Sequence, residues 1–218
     1  MSDLYTPQQR DLQDRFDTRR IADLIAGGIV HAAFTEQDRG FIEGRDMFFL
    51  STVDAAGRPT VSYKGGAQGF VRAVDDRTLA FPCYDGNGMF LSMGNIAATA
   101  QVGLLFIDFE TPHRLRVQGS ASIAGADPLL AEFPEALFMV RVAATEIFVN
   151  CPRYIHRKGP AAASRYVPQA GRATPVPGWK RIDFVQPALP ARDQGKAEAA
   201  GGLLSLPDYE AAVARGEG

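Results

Sequence analysis

The sequence predicts a mainly β protein with flanking helices, and its strands are expected to form an antiparallel barrel. Two observations lead to this fold class. Six or seven short β-prone segments follow one another between residues 47 and 149, and only one helical pattern separates them. Short turn sequences connect most of these segments, whereas parallel strands would need crossover helices between them. Short strands at this spacing are typical of antiparallel barrels.

The 218 residues divide into three regions by composition. Residues 1–44 form an N-terminal helical extension, in which apolar side chains among charges predict a helix over Arg10–Ala26 that Gly27-Gly28 ends. Thr35 is expected to cap a second short helix, with Asp38 at the capping-box position. Residues 45–157 carry the strands. Residues 158–218, rich in Pro, Gly and Ala, predict a loop-rich extension with one terminal helix at Leu206–Arg215.

The strand region contains one amphipathic helix, predicted over Gly88–Thr99. The continuous apolar run Val102–Ile107 predicts a strand that is buried on both faces. The predicted strands are Met47–Val53, Thr60–Lys64, Gly69–Val74, Thr78–Phe81, Val102–Ile107, Arg114–Ile123 and Leu137–Val149.

Composition excludes several functional classes. A net charge of −2 argues against a dedicated nucleic-acid-binding protein. Two cysteines, Cys83 and Cys151, cannot build a disulfide framework and favour a reducing compartment. The first twenty residues are polar, and no window reaches the roughly 18 apolar residues of a membrane span. We therefore expect a soluble cytoplasmic protein with no membrane partner.

Common catalytic signatures are missing from the sequence. It contains no G-x-x-x-x-G-K-S/T phosphate loop, no G-x-G-x-x-G, no H-E-x-x-H and no G-x-S-x-G. His31, His113 and His156 are far apart in the chain, and neither cysteine lies in a C-x-x-C pair. We expect no metal site.

The strand Thr60–Lys64 is the first candidate binding feature. Side chains alternate across a strand, so Thr60, Ser62 and Lys64 share one face and Val61 and Tyr63 the other. A row of hydroxyl and ammonium donors could serve a ligand. The alternative is a half-exposed strand whose polar side faces water.

The segment Tyr84–Gly88 is the second feature, because it leads into the predicted helix at Met89. Two glycines that flank Asn87 let backbone amides approach a ligand closely. The start of a helix offers unpaired N–H groups to a phosphate. The alternative is an ordinary glycine-rich turn.

Arg114, Arg116 and Gln118 form the third feature, on one face of a strand whose other face is apolar. Paired guanidinium groups suit an anion such as phosphate. The alternative is a solvated edge strand with basic residues that oppose aggregation. A separate basic segment, from Cys151 to Ile182, holds seven Lys or Arg and no Asp or Glu. It predicts either an anion-binding arm or a solvated, flexible tail.

The ordered set "FFLSTVDAAGRPTVSYKGG", "LAFPCYDGNGMFLSMGNI", "VGLLFID", "RLRVQGSASI" and "NCPRYIHR" resembles the pyridoxamine 5'-phosphate oxidase-like FMN-binding split barrels. The resemblance spans about Arg45 to Arg157. It implies a six-stranded antiparallel split β-barrel. It also implies a homodimer that holds two FMN molecules in clefts between its subunits.

The resemblance also implies which residues bind FMN. Leu91-Ser92 stands where the oxidase has an Arg-Lys pair for the phosphate, and Asn87 and Arg116 are expected to replace that pair. The tail after Arg157 does not match the oxidase's substrate-binding segment, so true oxidase activity is not expected. The implied cofactor-binding residues are Ser62, Tyr63, Lys64, Pro82, Cys83, Gly86, Asn87, Gly88, Met89, Arg114 and Arg116.

The function expected from these features is that of an FMN-dependent oxidoreductase acting on an undefined small substrate, with a reduced nicotinamide as one candidate donor. No catalytic residue is assigned, because His113, Tyr63 and Tyr154 are each more typical of structural positions. Three alternatives stay open. They are a non-catalytic flavin-binding or sensing module, a related split barrel that holds haem or a deazaflavin, and, weakest, a nucleic-acid-binding protein.

Overall fold

The computed structural model describes residues 4–151, 154–159 and 164–215. The chain separates into two compact units, Met1–Ala161 and Ala162–Gly218, which we describe one after the other. No helix in these described ranges is long and apolar enough to cross a membrane.

Three helices open the first unit: α1 (Pro7–Arg15), α2 (Arg19–Gly28) and α3 (Glu36–Glu43). The single helix predicted over Arg10–Ala26 is therefore wrong, because the chain breaks at Asp17, whose φ of 52° is left-handed. The predicted end at Gly28 and the Thr35–Asp38 capping box are both confirmed.

Seven strands form one antiparallel sheet with the order β2-β1-β5-β6-β7-β4-β3. The mainly β, antiparallel prediction is confirmed, and each of the seven predicted segments contains a strand. The six-stranded barrel that the resemblance implies is not confirmed, because the sheet has seven strands and its hydrogen-bonded order ends at β2 and β3. One helix, α4 (Leu91–Thr99), interrupts the strands, and a 3₁₀ turn (Pro128–Glu132) precedes the last one. The strands are β1 (Met47–Val53), β2 (Pro59–Gly65), β3 (Arg72–Ala73), β4 (Thr78–Tyr84), β5 (Gln101–Asp108), β6 (His113–Ala124) and β7 (Ala136–Val149).

Strand β3 is two residues long, shorter than the predicted strand Gly69–Val74, and side chains of α3 occupy its free edge. The Glu43 carboxylate accepts a hydrogen bond from the Ala73 N–H at 3.1 Å, and Arg39 donates to the Ala73 carbonyl at 3.3 Å. These contacts satisfy backbone groups that a further strand would otherwise use.

The hydrophobic core lies on one face of the sheet. Phe48 is fully buried there, with its ring 5.1 Å from that of Phe81 and 5.2 Å from that of Phe106. The prediction that β5 is buried on both faces is wrong, since Leu105 and Ile107 on its other face are only half-buried. Among the described residues, the side chains on this outer face of β5 are therefore only partly covered.

Helix α4 packs on the core side of β1 through polar anchors. The Asn95 amide donates to the Thr52 hydroxyl at 3.0 Å within the core, and Thr99 donates to the Val53 carbonyl at 2.7 Å. The helix begins at Leu91, so the predicted start at Gly88 is wrong. Phe90 precedes it in a left-handed conformation, with φ of 49°, and no side chain caps it.

The second unit consists of short helical turns around a buried ion pair. Lys180 Nζ lies 2.9 Å from Asp193 Oδ2, both side chains are more than nine-tenths buried, and Lys196 also contacts Asp193 at 3.2 Å. Lys180 of the basic segment is thus buried and neutralised, so the segment is not a wholly solvated tail, and its role as an anion-binding arm stays a prediction. Its two α-helices are α5 (Lys196–Ala199) and α6 (Leu206–Ala214), and α6 matches the predicted terminal helix.

The register of β6 against β7 depends on a glycine. The pairing shifts between Gln118 and Gly119, and a Cβ at Gly119 would lie 2.1 Å from the Ala143 carbonyl oxygen. That oxygen belongs to the backbone, so it cannot move without displacing β7.

We expect Gly119→Ala to lower the free energy of unfolding by about 1–3 kcal/mol, the usual cost of overpacking. Gly103→Ala on neighbouring β5 is the matched control, because its Cβ would meet only the Ser51 Cβ, at 3.8 Å. Urea denaturation of both variants and the parent measures the difference. Equal losses in the two variants would contradict the close-contact explanation.

Candidate functional site

Strand β2 presents its polar face inward and its apolar face to solvent. Ser62 and Lys64 are half-buried, whereas Val61 is 66% exposed and Tyr63 61% exposed. The alternative of a polar side in water is therefore wrong. The Ser62 hydroxyl lies 2.6 Å from the Ser92 hydroxyl of α4. Ser92 is a contact that sequence reasoning missed, because the pairing of β2 with α4 has no local signal.

Lys64 is a cation without a carboxylate partner among the described residues. The Lys64 ammonium interacts electrostatically with the Cys83 thiol of β4. The Phe48 ring of β1 lies 5.1 Å from the Phe81 ring of β4, although four strand spacings separate these strands in the hydrogen-bonded order. The sheet therefore curls and brings its two ends toward one another. Burial lowers the pKa of the Lys64 ammonium and raises the pKa of the Cys83 thiol. An underpaired cation at this position favours an anionic ligand.

Pro82 is buried within β4, next to Cys83. Proline cannot donate a hydrogen bond, which suits this position because β3 pairs only with Leu79 and Ala80.

Local contacts stabilise the exposed loop that follows β4. The Asn87 side chain accepts a hydrogen bond from the Met89 N–H at 3.1 Å, and Gly88 has a left-handed φ of 76°.

The late start of α4 changes the expected phosphate contact. The first unpaired amides of the helix follow Phe90, so Gly86, Gly88 and Met89 lie in the loop before it. Phe90 stacks on Phe138 of β7, with ring centroids 6.4 Å apart. Gly86, Gly88 and Met89 therefore lie in the loop next to the end of β4 that carries Cys83. No helix begins at Met89, so these residues do not form a helix N-terminus.

Arg114 and Arg116 lie on the outer face of β6. That strand pairs with β5 on one side and β7 on the other, so the edge-strand alternative is wrong. Arg116 is exposed, and Arg114 donates to the Cys151 carbonyl at 2.9 Å. Arg116 is therefore accessible on the outer face, whereas the Arg114 guanidinium is partly enclosed and its Nε is buried.

One continuous cross-strand row connects the outer-face residues. Tyr63 pairs with Phe49, Phe49 with Leu105, Leu105 with Arg116, and Arg116 with Phe148. The Tyr63 and Phe49 rings lie 6.1 Å apart, edge to face. We call these five residues the outer row. Alternation along β1 and β5 could have indicated its apolar members, but only the register shows that they meet.

The predicted site residues therefore separate into two groups. Ser62, Lys64 and Cys83 face the inner side where the sheet ends meet, whereas Tyr63, Arg114 and Arg116 face outward. Three strand spacings, about 14 Å, separate β2 from β6, and the two groups point to opposite faces of the sheet. A single chain does not gather them into one pocket.

A cavity of about 520 Å³ occurs elsewhere, between α3, β3 and the 3₁₀ turn at Pro128. Glu43, Arg72 and Arg141 are among its lining residues, and none of the predicted cofactor residues lines it. Arg141 is already bound by Asp127. This cavity offers no support for the predicted flavin site.

The three candidate catalytic residues have different surroundings. The His113 ring packs edge-on against Phe41 at 4.6 Å, and Arg45 covers the same phenylalanine at 4.9 Å. This packing gives His113 a structural role. Tyr63 and Tyr154 are both exposed. Arg157 is exposed as well, and Arg153 lies outside the described residues.

We expect Lys64→Met to stabilise the ligand-free protein by about 1 kcal/mol, because it removes a cation that burial disfavours. Because the pKa of Lys64 is lowered, the destabilisation caused by its buried ammonium is fully present at neutral pH. It disappears as the pH rises past the ordinary lysine pKa. Thermal unfolding of the apoprotein measures the gain. Lys158→Met, at an exposed lysine, is the control, and an equal or larger gain there would contradict the burial argument.

Comparisons with known proteins identify the family of this chain. A family model described as Pyridoxamine 5'-phosphate oxidase matches residues 34–172. A search of curated proteins found no match. Among solved structures, an FMN-binding protein from Syntrophomonas wolfei subsp. wolfei is 11% identical, with TM-score 0.43 over 64% of this chain and 97% of its own.

Two further solved structures have different functions in their descriptions. The heme storage protein HutZ from Vibrio cholerae is 21% identical, with TM-score 0.37 over 52% of this chain and 92% of its own. An F420 reductase is 19% identical, with TM-score 0.38 over 54% of this chain and 98% of its own. The family match covers well over half of the chain, and this protein belongs to the pyridoxamine 5'-phosphate oxidase family.

Proposed function

We propose that this protein is an FMN-dependent oxidoreductase whose flavin lies between two copies of the chain. The observation that carries the proposal is the division of the candidate site between the two faces of one sheet. Lys64 lacks a carboxylate partner on the inner side, and Arg116 stands exposed on the outer side. A second copy can bring the two groups together.

The order of the outer row supports a twofold arrangement. Leu105 is its central member, with Tyr63 and Phe148 at the two ends. A twofold axis that lies in the interface near Leu105 and runs parallel to the strands sets Tyr63 opposite the partner's Phe148 and Phe49 opposite the partner's Arg116. Such an isologous contact is the commonest form of homodimer. It places the partner's Arg116 over β1, one strand from the edge strand β2, around whose free edge Lys64 is reached from the inner side.

The residues of this cleft suit the two parts of FMN. Charged donors such as Lys64 and Arg116 suit the phosphate, and exposed Val61 and Tyr63 offer apolar area to the ring system. Charge-assisted hydrogen bonds contribute roughly 1.5–3 kcal/mol each, and micromolar affinity requires about −8 kcal/mol. A few such contacts with ring burial are sufficient.

The bound flavin supplies the redox chemistry between a donor, for which a reduced nicotinamide is the first candidate, and a small acceptor. The residues of this chain bind and orient it. Lys64 and Arg116 hold negative charge, and the outer row excludes water from the cleft. No described side chain is positioned as a general acid or base, so we assign protein residues no proton transfer.

Haem and deazaflavin binding remain the alternative cofactor assignments, as in the heme storage protein and the F420 reductase. Haem needs an axial ligand, which histidine, cysteine, methionine or tyrosine can supply. Both ring nitrogens of His31 contact oxygen acceptors, whereas His156 is exposed. A Soret band in the purified protein would favour haem, and a flavin spectrum would favour FMN.

Titration of apoprotein with FMN, followed by flavin fluorescence, tests the proposal. We expect quenching at micromolar FMN, with one flavin per subunit, and a dimer in sedimentation velocity. Turnover with reduced nicotinamide then separates an enzyme from a non-catalytic flavin-binding module. Absence of binding at tens of micromolar FMN, or a stable monomer that binds FMN, would overturn it.

We expect Lys64→Ala and Arg116→Ala each to weaken FMN binding ten- to a hundredfold, because each leaves the phosphate underpaired by about 1.5–3 kcal/mol. Arg58→Ala is the matched control, since this exposed arginine already pairs with Asp54. Dissociation constants for FMN measure the effect, and parent-like FMN binding in the first two variants would refute the phosphate assignment.

Arg157→Ala is expected to change turnover of an anionic substrate more than FMN affinity, because exposed Arg157 lies beyond the last strand. Steady-state kinetics beside the FMN dissociation constant measure this difference.

A further inference from the structure

Helices α1 and α2 form a hairpin whose apolar side chains face solvent. Leu24 is 68% exposed and Phe16 66% exposed, and Leu12 and Ile21 are also exposed. Ala22 is the only buried residue of the two helices. Ile21, Leu24 and Ile25 follow helical spacing, so they form one stripe. An apolar stripe of this kind is stable when another surface covers it.

The hairpin is a folded element with internal contacts. Ion pairs join Arg10 to Asp23 and Arg19 to Asp14. The Tyr5 hydroxyl donates to the Ala22 carbonyl at 3.1 Å. The hairpin therefore presents its apolar residues in a fixed arrangement.

The hairpin is also attached at one end of the outer row. The His31 backbone exchanges two hydrogen bonds with Ile147, at 3.0 and 2.7 Å, and Ile147 is adjacent to Phe148. This contact uses the edge of β7 beyond Ala143, where β4 no longer pairs. The His31 ring bridges the Ile29 carbonyl and the Asp38 carboxylate, at 2.9 and 2.8 Å. Helix α2 thus leaves the sheet beside the Phe148 end of the row.

The outer face is five strands wide from β2 to β7. Five strands about 4.8 Å apart span roughly 19 Å. A further apolar element that continues this face would enlarge the area that each partner buries, which is ~800 Å² in an interface of standard size.

We propose that the α1–α2 hairpin of each subunit packs on the partner subunit, over the edge strand β2 near Val61 and Tyr63. The inference rests on the proposed twofold dimer, in which the Phe148 end of one outer row lies over the Tyr63 end of the other. The occupant of the hairpin's apolar face is thus a second copy of this chain. Leu24 and Phe16 then cover the outer rim of the flavin cleft beside Val61 and Tyr63 and close the cleft against water.

Cysteine cross-linking tests the contact in the full-length chain. In a Cys151→Ser background, the double variant Leu24→Cys/Val61→Cys is treated with a short bis-maleimide. We expect covalent dimers that require both new cysteines. The two single variants are the controls, and they also account for the remaining native thiol, Cys83. Covalent dimers from Leu24→Cys alone would show that the two hairpins pack on each other. Cross-links within one subunit of the double variant would show that the contact is intramolecular. Either result overturns the proposal.

Sedimentation velocity over a concentration series provides the second measurement. We expect Leu24→Asp and Phe16→Asp to weaken dimerisation at least tenfold, while Gln8→Asp, an exposed polar position on α1, dimerises like the parent. Val61→Asp tests the sheet face separately. If Val61→Asp dissociates the dimer and both hairpin variants do not, the hairpin inference fails and the proposed dimer stands. If the parent itself is monomeric, both fail.

Discussion

The structure depends on one constraint, which is that the antiparallel sheet has a covered face and an uncovered face. Strand alternation then assigns every side chain to one of the two environments. On the covered side, Phe48, Phe81 and Phe106 pack together, and the buried polar side chains Thr52 and Asn95 hydrogen-bond each other. On the uncovered side, the same register aligns the outer row across five strands. The alternation of side chains along the strands therefore determines both which residues form the core and which form the candidate interface.

Strand β2 departs from the common arrangement in a way that connects stability with binding. Its polar residues turn inward and its apolar residues turn outward, which is unfavourable for an isolated chain. Lys64 loses hydration without gaining a carboxylate, and Tyr63 exposes a large ring. Local rules are most often broken where function requires it. The unfavourable placement of β2 is relieved if an anion and a second apolar surface arrive together.

Much of this organisation can be predicted from local sequence. The Thr35–Asp38 cap, the terminal helix and the strands β1, β6 and β7 follow from short-range patterns, and the structure contains them. The break at Asp17 and the late start of α4 do not follow, because each depends on a non-glycine residue in a left-handed conformation. Alternation predicted the two faces of β2 correctly. It could not say which face is inside, because that depends on the curl that brings β2 toward β4.

The blocked edge of β3 has a consequence for how the protein behaves at high concentration. An open sheet has two edges at which a foreign strand can add, and such additions start fibrous aggregates. Here Glu43 and Arg39 occupy the backbone groups at one of these edges. Growth by strand addition is therefore directed to the other end strand, β2. In the proposed dimer, the surface that covers β2 would protect the molecule from polymerisation as well as complete the flavin cleft, so colloidal stability and ligand binding would be coupled at the same strand.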